Sequence, residues 1–138
     1  MARIMAIDYG KKRTGIAVTD PLQIIATGLT TIDSNELIPF LKKYTLEESV
    51  ERIIVGLPKN LDDTDTHGTA GALAAISAIR KAFPAIPVED ADERFTSKMA
   101  KDAMLQMGLK KKDRRDKKTI DRIAATILLQ EYLASINR

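Results

Sequence analysis

The chain has 138 residues, 30% of them charged, with a formal net charge of +3 and no cysteine. This length predicts a single domain with room for a sizeable core, and the missing thiols exclude disulfides and thiolate metal sites. No apolar run reaches bilayer-spanning length and the first residues lack a signal-peptide pattern, so no membrane partner and a cytoplasmic location are expected.

The charge is unevenly placed. Lys98 to Lys118 holds nine Lys/Arg and three Asp, a local net of +6, while the remainder of the chain carries −3. Such asymmetry marks polyanion binding, although a solvated helix face and linker would carry the same charges.

Arg3 to Asp20 reads as a β-hairpin: an apolar run that stops at Asp8, a Gly10-Lys11-Lys12-Arg13 connection, and a second apolar run. Ile4, Ala6 and Asp8 share one strand face, and Met5, Ile7 and Tyr9 the other. Both faces are apolar up to Asp8, which predicts a central strand covered on both sides. Ile24 to Ile32 reads as a third strand with a bulge or bend at Gly28, and Asp33-Ser34-Asn35 as a turn. A helix follows from about Glu36 to Glu48, with Pro39 tolerated in its first turns. Val50 to Val55 is a fourth strand, ended by Gly56-Leu57-Pro58.

Lys59 to Gly68 reads as a polar loop that contains His67, the only histidine. A helix is predicted from Thr69 to Phe83 and a weaker strand from Ile86 to Asp90. Thr96 or Ser97 caps a helix reaching Met107, with Gly108 as its stop signal. Met99, Met104 and Met107 read as core residues. Lys110 to Lys118 is a basic connection, and the final helix runs from Thr119 to Ser135. The first three strands are joined too closely for crossovers and should be antiparallel; the fourth and fifth follow helices and should run parallel to the first. The expectation is an α/β, ribonuclease H-like fold with a mixed five-stranded sheet flanked by helices.

Three acids stand apart from the surface charges. Asp8 ends a buried strand, Glu93 follows the last strand, and Asp121 shares a helix face with Ala124, Ala125 and Leu128. Each has an ordinary alternative: Asp8 as a turn residue, Asp121 as a first-turn acid in the helix dipole, Glu93 as the ion-pair partner of Arg94 or a lysine. Brought together, they would form an oxygen-donor cluster suited to Mg²⁺ or Mn²⁺ and to metal-assisted phosphodiester hydrolysis. Gly56 would leave room for the ion or a backbone phosphate. Low aromatic content argues against recognition dominated by base stacking.

The chain resembles the YqgF (RuvX) family of bacterial RNase H-fold proteins, described as pre-16S rRNA nucleases and Holliday junction resolvase-like proteins. The resemblance rests on Asp8-Tyr9-Gly10 with Lys12-Arg13-Thr14-Gly15-Ile16-Ala17, on Val55-Gly56-Leu57-Pro58, on Asp92-Glu93-Arg94-Phe95-Thr96-Ser97, and on Ile120-Asp121-Arg122-Ile123-Ala124-Ala125 with Leu129-Gln130. It implies Asp8, Glu93 and Asp121 as catalytic acids and ligands of Mg²⁺ or Mn²⁺. Lys12, Arg13 and Arg94 match its basic positions. With Lys11, Lys110, Lys111, Lys112, Arg114 and Arg115 they are the candidate phosphate contacts.

Two departures are visible: Asp62-Asp63-Thr64 stands where the family usually has Asp-Gly before Ser or Thr, and the last helix carries one acid where RuvC-type resolvases carry two. The implied activity is nucleolytic processing of precursor 16S rRNA, with assembling ribosomal particles as partners; the sequence does not fix the oligomeric state, and a monomer is the expectation. The rivals are resolution of branched DNA junctions and a non-catalytic RNA-binding or transcription-associated role.

Overall fold

The computed structural model describes residues 2–57, 67–92 and 117–136. Five strands form one sheet: β1 (Arg3–Tyr9), β2 (Arg13–Thr19), β3 (Ala26–Asp33), β4 (Val50–Leu57) and β5 (Val88–Asp92), in the spatial order β3-β2-β1-β4-β5. The pairs β1–β2 and β2–β3 are antiparallel, while β1–β4 and β4–β5 are parallel. This is the mixed sheet predicted from connection lengths. Among the described residues three helices pack on it: α1 (Leu37–Glu47), α2 (His67–Ala82) and α3 (Lys117–Ile136). Among the described residues no helix is long and apolar enough to cross a membrane.

The two faces of the sheet bury different residues. Met5, Ile7, Ile16, Val18, Ile53 and Val55 point toward α1 and α2, where Leu37, Leu41, Ile76 and Ile79 meet them. Ile4, Ala6, Ala17 and Ile54 point the other way, against Ala125, Leu128, Leu129 and Leu133 of α3. The alternation along β1 is therefore as expected, and β1 is covered on both sides.

Several boundaries differ from the sequence reading, each for a local reason. β3 starts at Ala26 rather than Ile24, because the Asp20 carboxylate takes up the Ile24 and Ile25 N–H groups at 2.8 and 2.7 Å. Gly28 does lie at a bulge: Ile16 pairs with Thr30 and Ala17 with Gly28, so Leu29 is the extra residue. Asp33 remains in β3, and the turn is a 3-10 segment over Ser34–Glu36. β4 continues through Gly56 and Leu57, because both pair with β5.

β5 starts at Val88 rather than Ile86, because the Ile86 N–H donates to the Phe83 carbonyl at 3.0 Å and is held in a turn. His67 is the first residue of α2 and not part of a loop, and α3 begins two residues before Thr119. The expected helix ending near Met107, its three methionines, the Asp62-Asp63-Thr64 segment, and the basic positions Arg94, Lys110, Lys111, Lys112, Arg114 and Arg115 lie outside the described residues.

Candidate active site

Parallel pairing delivers β1, β4 and β5 to the same edge. Ile7 pairs with Val55 and Val55 with Asp90, so the next residues, Asp8, Gly56 and Ala91, stand level there. Asp8 is half-buried at the end of β1 and paired with Gly15 of β2. It is therefore a strand residue and not a turn residue. Its alternation partners Ile4 and Ala6 pack on α3, so Asp8 faces the α3 side.

α3 brings Asp121 to that same side. Asp121 lies one turn before Ala125, which is fully buried against the sheet. As the fifth residue of α3, it is past the first turn, which contains no acid, so a helix-dipole role does not account for it. Two glycines allow the approach. A Cβ on Gly15 would lie 2.0 Å from the Asp121 carbonyl oxygen, and one on Gly28 would lie 2.7 Å from Cγ of Arg122. Only a strand bare of side chain at Gly15 accepts the helix backbone this close. Asp8 and Asp121 are thus brought together through one residue: Gly15 is the ladder partner of the first and the contact surface of the second.

Arg13 completes the described part of the site. Its Nε donates to Oδ2 of Asp121 at 3.2 Å, with the two side chains 30% and 26% exposed. Arg13, expected as a phosphate contact, here also donates to an acid. Lys11 and Lys12, on the turn beside it, are exposed. That turn is anchored from below by residues the sequence reading did not single out. The Ser34 hydroxyl donates to the Gly10 carbonyl, the Ser34 N–H donates to the Lys12 carbonyl at 2.9 Å, and Ser34 Oγ lies 2.8 Å from the buried Thr14 hydroxyl. A polar Thr14 inside an apolar strand was the available signal, since a buried hydroxyl requires a partner.

Glu93 immediately follows Asp92, the last residue of β5, and lies outside the described residues. Among the described residues no three acids or imidazoles form a group able to hold a metal ion. What is present is two carboxylates on one side of the edge, hard oxygen donors of the kind Mg²⁺ and Mn²⁺ take, and they fit part of a donor set that needs at least one more ligand.

Comparison with known proteins agrees with this architecture. A relative from Phocaeicola vulgatus is 56% identical over 135 residues, covering 98% of this chain and 97% of its own length, and is named "Putative pre-16S rRNA nuclease". One from Porphyromonas gingivalis with the same name is 46% identical over 138 residues, covering 100% of both chains. The structure of T. thermophilus RuvC in complex with a Holliday junction substrate superposes with a TM-score of 0.59 at 18% identity, over 99% of this chain and 96% of that one, which identifies a shared fold. Residues 2–135 match the RuvX family, described as Holliday junction resolvase; this chain is a member of the RuvX family.

Proposed function

We propose that the chain is a divalent-metal-dependent nuclease that hydrolyses phosphodiester bonds in structured RNA, with precursor 16S rRNA as its substrate. The observation that carries this reading is the convergence of Asp8 and Asp121 across Gly15 at the edge where the parallel strands end. The names of the close relatives supply the substrate.

On this reading Asp8, Asp121 and Glu93 hold Mg²⁺ or Mn²⁺, which when bound activates water and stabilises the leaving oxygen. Arg13 orients the Asp121 carboxylate, and its guanidinium is placed to meet an incoming phosphate at the same edge. Lys11 and Lys12 stand exposed beside Asp8 and draw the backbone toward it. Arg94, Lys110, Lys111, Lys112, Arg114 and Arg115 extend that attraction. The protein acts as a single-domain monomer in the cytoplasm, on precursor RNA or on assembling ribosomal particles.

Asp8→Asn keeps the side chain's shape while removing a charge and a ligand. It should abolish Mg²⁺- or Mn²⁺-dependent shortening of precursor 16S RNA, while RNA binding persists. Full activity in this variant would remove Asp8 from the reaction and end this reading of the site, whereas RNA binding with no cleavage by the wild-type protein would leave the RNA-binding role. A second reading, resolution of branched DNA, is favoured by the family description. Symmetric cleavage of a four-way DNA junction by a dimer, with RNA left intact, would establish it instead.

A further inference from the structure

A polar cavity of about 220 Å³ lies beside the acids, between β3 and the start of α3, lined by Thr30, Thr31, Lys118, Thr119 and Arg122. Among the described residues no carboxylate lines it. Its position follows from the sheet register. Asp8 pairs with Gly15, and Gly15 pairs with Thr31, so the three form one row across β1, β2 and β3. Cross-strand partners share a face, which puts Thr31 on the α3 side with Asp8. At the usual strand spacing, Thr31 stands about 10 Å from Asp8.

Two features build the cavity's charge. The Thr31 hydroxyl donates to the Lys118 carbonyl at 2.6 Å, tying the first turn of α3 to β3. Lys118 and Arg122 are four residues apart and so share a helix face. The Arg122 stem lies against the sheet at the Gly28 bulge, where any Cβ would crowd its Cγ.

We propose that this cavity binds a backbone phosphate flanking the one that is hydrolysed, held between Lys118 and Arg122. The nucleic-acid strand then runs from Asp8 over the first turns of α3, which cover Gly15 and Thr31, to Lys118 and Arg122. The proposal rests on the nuclease reading for the word "flanking", but not for the binding of phosphate itself.

The test is binding of single-stranded RNA and of DNA of the same sequence to the full chain, without divalent metal, across a salt series. Relative to wild type, the Lys118→Gln/Arg122→Gln double variant should lower affinity for both and reduce the log–log salt slope by about 0.7, the value for one single-strand phosphate. Lys118→Arg/Arg122→Lys should keep the slope. Lys42→Gln/Lys43→Gln, which removes two exposed charges from α1 on the opposite face, should also keep it. Thermal unfolding confirms that each variant is folded.

An unchanged slope in the first variant, or an equal loss in the α1 control, overturns the proposal. Loss for RNA alone also overturns it, because the contact would then be to the 2′-hydroxyl. A selective slope change in a protein that cuts no precursor RNA leaves the phosphate site standing and removes the nuclease reading. An active enzyme with an unchanged slope does the reverse, and failure to bind either polymer ends both.

Discussion

The two faces of the sheet solve different problems with the same strands. Toward α1 and α2, the buried side chains are large: Met5, Ile7, Ile16, Ile53, Leu41 and Ile79 are at most 0% exposed. Toward α3 the layer changes along the helix. At its far end Leu133, Tyr132 and Ile4 fill the gap, and Arg52 reaches across from β4 to Tyr132 at 2.6 Å. At the near end the facing residues shrink to Ala6, Ala17 and Ala125, and then to Gly15, where helix and strand backbones touch. Apolar burial scales with area, so the large-residue face supplies most of the adhesion. The small-residue end supplies little, but it sets the height at which Asp121 sits above Asp8. Stability and placement are thereby assigned to opposite sides of one sheet.

Substitutions can break that division. Ile53→Ala on the α1/α2 face should have the largest effect on stability, about 2–5 kcal/mol for a buried residue of this size. Turnover by the protein that remains folded should stay near wild type, as read by urea unfolding alongside initial rates at low temperature. Gly15→Ala should cost less stability, about 1–3 kcal/mol for overpacking, because α3 can lift at that end. Lifting displaces Asp121, and a displacement of about 1 Å is enough to lower turnover about 10²-fold. If Gly15→Ala instead left turnover unchanged in the folded protein, the claim that this glycine sets the site would fail.

Arg13→Gln sharpens the same comparison at smaller scale. Its bond to Asp121 is partly exposed, so the stability cost should stay under about 1 kcal/mol. Turnover should fall about 10- to 100-fold, the range for a residue that orients a ligand. Equal losses in stability and rate would make the pair a plain surface ion pair.

The smallest effect belongs to the opposite end of the sheet, away from the acids. The N–H groups of Ile25, Ile24 and Leu22 hold the Asp20 carboxyl below the usual carboxylate range. Its folded pKa is depressed, so its contribution is complete above the unfolded value of about 3.9 and is lost as pH falls through the lower folded value. Asp20→Asn should flatten the acid side of a plot of urea midpoint against pH, and change nothing near neutrality in nucleic-acid binding.

Much of this architecture was legible in the chain itself. Period-two alternation with both faces apolar placed β1 at the centre, short connections made the first three strands antiparallel, and intervening helices made the last two parallel to it. These are local rules, each acting over a few residues. The spacing of Asp121, Ala125 and Leu128 likewise disclosed the α3 face, because helical periodicity is local too. Element ends were less legible where a side chain diverted backbone hydrogen bonds, as Asp20 does at Ile24 and Ile25. The role of Gly15 could not be read this way, since what a glycine admits depends on what packs against it, here a helix 106 positions further along the chain. The same holds for Arg13. Its sequence context offers a charge for phosphate, and only the packing of α3 on β2 decides that an aspartate sits 3.2 Å from it.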